Sequence, residues 1–145
     1  MYYEDFHIGQ KWSIDSFSIT EDQVFDFASK YDPLPIHLDE KYAKTTRFGG
    51  IISSGVMTFM LFWTEFLKQH DPLGDELIAG MNNHMQWPAP VRSGDQLHGE
   101  VTVVDLTRKN TRSGIIEIEL KAYNQDGLHV MTGGATMLFK AHKCK

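Results

Sequence analysis

Asp32 and His37 are the two residues of this chain best suited by type and spacing to do chemistry. A carboxylate and an imidazole can exchange protons with a bound molecule near neutral pH, because histidine titrates in that range. Pro33 and Pro35 lie between them, and proline fixes its own φ and favours extended backbone in the preceding residue. The sequence therefore predicts a stiff, extended, non-helical segment that holds an acid and a base at a set separation.

The elements that flank this segment are predicted by their hydrophobic periods. Thr20 and Gln23 have capping-box spacing, and apolar residues then recur on one helical face as far as Tyr31. That helix has to end before the prolines, so the Asp32–His37 segment leaves a helix terminus. A short helical turn over residues 39–44 is expected to follow it.

A second, longer helix begins at Ser53 or Ser54 and runs to about His70. Apolar residues cover nearly its whole circumference, which predicts burial on most sides. Alternating apolar and polar residues elsewhere indicate strands. The expected strands are 12–19, 77–86, 97–103, 116–122 and 128–139, with a hairpin turn at 124–127.

One buried helix and a run of antiparallel strands indicate the α+β class, with the sheet wrapped around the helix. The length of 145 residues fits a single domain over residues 1–145. A sheet of this kind leaves an edge or a face without a partner, so a homodimer or a higher homo-oligomer is expected.

Composition excludes several classes of function. The net charge is −5, from 14 basic and 19 acidic residues, and this argues against a nucleic-acid partner. The first residues do not resemble a signal peptide, and the longest apolar run, 56–63, is too short to span a membrane. We therefore expect a cytoplasmic protein that has no membrane partner.

No metal site or bound cofactor is expected. The single cysteine, Cys144, excludes a disulfide framework and a multi-cysteine metal site within one chain. Apart from His37, the histidines have no metal-ligand spacing, and the sequence contains no dinucleotide-binding fingerprint. We interpret Trp87 as a packing or interface aromatic.

The sequence resembles the MaoC-like dehydratases, which include the (R)-specific enoyl-CoA hydratases, over most of its length. Three segments carry the resemblance, in the family's order. They are the hydratase motif, with Phe27-Ala28, Tyr31-Asp32, Pro35-Ile36-His37-Leu38-Asp39 and Tyr42-Ala43, the helix start Gly50-Ile51-Ile52-Ser53-Ser54-Gly55, and the turn Pro90-Val91-Arg92-Ser93-Gly94-Asp95.

This resemblance implies the hot-dog fold and a hydratase or dehydratase acting on an acyl thioester of coenzyme A or acyl carrier protein. It implies that Asp32 and His37 together activate the water that adds to a trans-2-enoyl thioester to give an (R)-3-hydroxyacyl thioester. Gly55, at the start of the long helix, is the expected oxyanion-hole residue, because its backbone N–H can face the thioester oxygen.

Three positions depart from the family pattern. Leu34 stands where Asn is usual, Ser54 where His is frequent, and Trp63 near a position that carries Ser in some members. Leu34 and Trp63 would remove polarity from the expected site, which leaves two alternatives open. One is a hot-dog acyl-CoA thioesterase, and the other is a non-catalytic homologue that binds acyl thioesters.

Overall fold

Five strands form one antiparallel sheet in the computed structural model, which describes residues 1–143. Cys144 lies outside the described residues. The strands are β1 (Lys11–Ser18), β2 (Leu77–Gln86), β3 (Gln96–Arg108), β4 (Ser113–Tyr123) and β5 (His129–Lys140). The helices are α1 (Glu21–Tyr31), α2 (Pro35–Leu38), α3 (Glu40–Ala43) and α4 (Gly55–His70), with single 3₁₀ turns at Tyr3–Asp5 and Gly74–Glu76.

The strand order in the sheet is β1-β3-β4-β5-β2, so β1 and β2 form its two edges. Strand β2 pairs with β5 and not with β3, the next strand along the chain. Strand β4 is central and has the predicted alternation: Ile116, Ile118, Leu120 and Ala122 are buried. The 124–127 turn joins β4 to β5, and Gly127 takes the positive φ of +75° that the turn requires.

Helix α4 lies against the inner face of this sheet, which confirms the α+β class and the hot-dog arrangement. Phe59, Phe62 and Phe66 are buried in one hydrophobic core with residues of all the central strands. The close approach of helix and sheet depends on Gly133 of β5, where a Cβ would lie 2.8 Å from the Phe59 ring. A glycine in the middle of β5 therefore lets the helix pack directly on the strand.

The prediction that α4 is buried on most sides is wrong for one stripe of the helix. Val56 is 42% exposed and Met60 is 44% exposed. The sheet covers only one side of the helix, whereas the apolar residues continue beyond the width that one sheet can cover. The edge strand β2 also carries exposed apolar residues, since Ile78 and Met81 are each 48% exposed.

Helix α1 begins with the predicted capping box. The Thr20 hydroxyl accepts from the Gln23 N–H at 3.1 Å, and the Gln23 side-chain oxygen accepts from the Thr20 N–H at 2.9 Å. Val24 and Ala28 are buried, and the helix ends at Tyr31, directly before Asp32. The end of α1 therefore fixes the position of the Asp32 backbone.

Candidate active site

The segment after α1 is not extended throughout, which corrects the prediction of a non-helical bridge. Residues 35–38 form the single helical turn α2, with Pro35 in its first turn. The first turn of a helix needs no N–H donor from proline, and the fixed φ of proline suits that position. The prolines thus start a helical turn after Asp32, and this turn brings His37 back toward the carboxylate.

Asp32 and His37 come together in the structure. His37 Nε2 lies 3.3 Å from Asp32 Oδ2. His37 is buried, and its Nδ1 lies 2.7 Å from the carbonyl oxygen of Ile52. Because a carbonyl can only accept, Nδ1 carries the proton and Nε2 of the neutral ring is an acceptor. The ring is therefore oriented with its Nε2 toward the Asp32 carboxylate.

Ser54, for which no role in the site was predicted, completes this group. Its hydroxyl donates to Asp32 Oδ2 at 2.7 Å, and the residue is 1% exposed. This hydrogen bond from a buried hydroxyl restrains the orientation of the carboxylate. Its sequence signals were its position at the start of the long helix and its departure from the frequent His, and neither indicates a contact that joins residues 22 apart in the chain.

The Asp32–His37 pair lines a cavity of about 320 Å³. Two acceptors at this separation can hold one water molecule, which donates a hydrogen to each, and either acceptor can then take a proton from it. The cavity wall is mainly apolar, with Asp32, His37 and a few further polar side chains. Its other wall residues include Arg47, Phe48, Gly55, Val56, Thr58, Trp87, Pro88 and Pro90.

Gly55 lies in the wall of the same cavity, at the first position of α4. The N–H groups in the first turn of a helix have no acceptor within the helix. The Trp87 indole covers Gly55 on one side, where its Nε1–H donates to the Gly55 carbonyl at 3.0 Å. A Cβ on Gly55 would lie 2.2 Å from Trp87 Cε2, so the indole itself requires glycine here.

Trp87 therefore has a more specific place than the packing or interface role interpreted from the sequence. It closes one wall of the cavity and holds the first residue of α4, while 45% of its surface stays exposed. No local pattern could have indicated this, because the two hydrogen-bonded residues are 32 apart in the chain.

The two departures expected to remove polarity from the cavity do not contribute to its lining. Leu34 is 51% exposed. Trp63 stacks on Phe59 with ring centroids 6.5 Å apart, and it lines a different cavity of about 260 Å³ between α4 and β2. Leu34 and Trp63 therefore do not reduce the polarity of the cavity lining.

The whole arrangement matches solved structures of one class. A MaoC-like dehydratase from Rhodospirillum rubrum superposes with a TM-score of 0.87 at 29% identity, over 99% of each chain. The protein is thus a hot-dog-fold protein of the MaoC-like type. The MaoC like domain family matches residues 5–124, and the chain belongs to this family.

Two relatives agree with this membership. The chain is 35% identical over 138 residues to the uncharacterized protein YdeM of Bacillus subtilis, covering 94% of this chain and 97% of that protein. It is also 35% identical over 106 residues to the (R)-specific enoyl-CoA hydratase of Rhodospirillum rubrum, covering 72% and 71% respectively. The family therefore includes (R)-specific enoyl-CoA hydratases. Within residues 1–143, no helix is long and apolar enough to cross a membrane.

Proposed function

We propose that this protein hydrates trans-2-enoyl thioesters to (R)-3-hydroxyacyl thioesters, and catalyses the reverse dehydration. The observation that carries the proposal is the 3.3 Å contact between His37 Nε2 and Asp32 Oδ2 in the wall of a largely apolar cavity. The similarity to an (R)-specific enoyl-CoA hydratase supports the same reaction.

The reaction adds water across the C2=C3 bond of the acyl group. The water oxygen forms a bond to C3, the π electron pair moves toward the thioester carbonyl, and C2 then receives a proton. Asp32 and His37 hold the water, take one of its protons and return a proton to C2, so the pair ends in its starting state. The Ile52 carbonyl and the Ser54 hydroxyl keep the two groups oriented during this exchange.

The thioester oxygen becomes negative as the electron pair moves onto it. The Gly55 N–H, at the positive end of the sixteen-residue helix α4, is suited to stabilise that charge. Trp87 supports this role, because its bond to the Gly55 carbonyl fixes the peptide on the other side of the residue.

The substrate carrier is proposed to be coenzyme A or acyl carrier protein, with no nucleic-acid or membrane partner and a cytoplasmic location. Residues 1–145 act as one domain, and two copies form a homodimer or part of a larger homo-oligomer. Support for the dimer comes from the exposed apolar residues Val56, Met60, Ile78 and Met81, which lie on α4 and the sheet edge β2.

Loss of enoyl-thioester absorbance with crotonyl-CoA tests the activity. Asp32→Asn and His37→Ala are expected to lower kcat/KM by about 100- to 10,000-fold, the usual contribution of a general acid–base group. Asp26→Asn and His7→Ala are matched controls, because both residues are exposed and lie outside the cavity wall. Release of free thiol without loss of the double bond would instead identify a thioesterase. Full activity in both variants would remove the pair from the mechanism.

A further inference from the structure

Arg47 gives the cavity a positive charge that the proposed hydration does not use. The ionisable side chains in the cavity wall are Asp32, His37 and Arg47. Only the arginine is positively charged at every physiological pH. Arg47 is exposed, so it lies where the cavity opens to solvent, whereas His37 is buried inside.

The guanidinium of Arg47 lies over an aromatic ring. Its Cζ lies 5.0 Å above the centre of the Phe48 ring. The Phe48 carbonyl in turn accepts a hydrogen bond from Arg92 Nη2, which fixes the residue that carries the ring. Among residues 1–143, no carboxylate oxygen lies within 4.0 Å of Arg47.

The rest of the protein makes such a charge useful. The net charge of −5 opposes the approach of a polyanionic ligand, so binding one requires a local cation. Thioesters of coenzyme A and of acyl carrier protein both carry the acyl group on a pantetheine arm that ends in a phosphate. The planar guanidinium can donate two parallel hydrogen bonds to a phosphate.

We propose that Arg47 binds a phosphate of the substrate's carrier arm at the mouth of the cavity. This inference rests on the proposed function for the class of substrate, but it concerns binding and not the chemical step. Its consequence is that the protein distinguishes thioesters by their carrier as well as by their acyl group.

Calorimetric titration of the full chain with butyryl-CoA, butyryl-4′-phosphopantetheine and butyryl-pantetheine tests the proposal. These ligands share an acyl group that has no double bond to hydrate. Arg47→Gln is expected to weaken binding of butyryl-CoA about tenfold and to leave the affinity for butyryl-pantetheine unchanged. Lys44→Gln is the matched control, because Lys44 is exposed, pairs with Glu40 and does not line the cavity.

The phosphopantetheine ligand distinguishes two sources of the phosphate. A loss of affinity for both phosphate-bearing ligands would mean that Arg47 binds the phosphate next to pantetheine, which carrier protein and coenzyme A share. A loss for butyryl-CoA alone would mean that it binds a phosphate found only in coenzyme A. Unchanged binding of butyryl-CoA, an equal loss for the phosphate-free ligand, or no binding of butyryl-CoA to the wild type would each overturn the proposal.

The crotonyl-CoA assay on the same variants separates this inference from the proposed function. Binding of butyryl-CoA that depends on Arg47, without hydration by the wild type, would refute the hydratase proposal and leave the phosphate contact standing. Hydration by the wild type with no effect of Arg47→Gln on KM or on binding would refute only the phosphate contact.

Discussion

The first turn of helix α4 and the rest of the helix differ in what surrounds them. The first turn, Gly55–Thr58, supplies Gly55, Val56 and Thr58 to the wall of the Asp32–His37 cavity. The remainder, which we call the aromatic part (Phe59–His70), carries Phe59, Phe62, Trp63 and Phe66. Phe62 and Phe66 are almost completely buried.

This difference shows how one helix can serve both stability and chemistry. The aromatic part fills the space under the sheet with large side chains, and each fully buried phenylalanine contributes about 1.5–3 kcal/mol to folding. The first turn begins with Gly55, whose N–H has no acceptor within the helix, and this suits the contact with a polar substrate group. Substitutions in the aromatic part should therefore act mainly on stability, whereas substitutions in the first turn should also change activity.

The largest effect on stability is expected in the aromatic part. Phe62→Ala removes a fully buried ring and should lower the free energy of unfolding by about 3–5 kcal/mol, because a cavity remains. Phe25→Ala is the matched control, since Phe25 is 56% exposed on α1. Urea denaturation measures both variants. Equal destabilisation by the two substitutions would contradict the stabilising role of the aromatic part.

A substitution in the first turn should affect activity and stability together. Gly55→Ala places a Cβ against the Trp87 indole and should destabilise the fold by about 1–3 kcal/mol, the usual cost of overpacking. A higher intrinsic helix propensity of about 1 kcal/mol offsets part of this. Displacement of the indole should also lower kcat/KM for crotonyl-CoA.

A double-mutant cycle identifies the cause of that effect. If the clash with the indole is responsible, Gly55→Ala in a Trp87→Ala background should lose most of its cost in stability. Gly80→Ala is the control for the substitution itself, because a Cβ there meets no atom within 4 Å. The same cost with and without Trp87 would show that the glycine is required for another reason.

A smaller effect is expected at the residue that precedes the helix. Ser54→Ala removes the hydrogen bond to Asp32 and should reduce kcat/KM about tenfold, while the net loss of stability stays near 1 kcal/mol. Ser53→Ala is the matched control, since the Ser53 hydroxyl contacts the Ser54 carbonyl and not Asp32. Crotonyl-CoA kinetics compare the two. An equal loss in both variants would remove the specific role of Ser54.

The smallest effect is expected outside α4, at Glu4 in the N-terminal 3₁₀ turn. Its carboxylate accepts from Arg108 and from the His142 N–H. Desolvation opposes ionisation, but these hydrogen bonds and the arginine charge outweigh it and hold the pKa of Glu4 below its ordinary value. The ionised form therefore stabilises the fold above the ordinary pKa of a glutamate, and this contribution is lost as pH falls through the lowered pKa.

Glu4→Gln should therefore lower the free energy of unfolding at pH 7 by less than about 1 kcal/mol, as is usual for exposed ion pairs. The difference from the wild type should disappear in acid, and crotonyl-CoA kinetics should not change. Thermal denaturation at pH 7 and at pH 3 measures the effect. A difference that grows as the pH falls would contradict the assignment.

Local patterns predicted most of the fold. The capping box at Thr20, the alternation in β4 and the turn at Gly127 all depend on neighbours within a few residues, and all are confirmed. The same locality explains the error at α2. Pro35 favours extended backbone in the residue before it, which gave the prediction, but proline also favours the first turn of a helix, which is where Pro35 lies.

The candidate site was only partly predictable for a related reason. Asp32 and His37 are close in the chain, so their pairing could be expected from the spacing. Ser54 and Trp87 reach the site through tertiary packing across 22 and 32 residues, and no periodicity reports such contacts. The exposed stripe of α4 was missed because an apolar circumference does not reveal how much of it one sheet can cover.

The hydrogen bond from Trp87 to Gly55 gives this protein an intrinsic optical reporter. Indole emission responds to the polarity around the ring and to the groups bound at its N–H. The ring of Trp87 lies in the cavity wall, while Trp12 and Trp63 are half-buried, pack against Phe66 and do not line this cavity. A change of tryptophan fluorescence that Trp87→Phe abolishes would therefore report occupancy of the cavity directly, with unlabelled protein and with ligands that undergo no reaction.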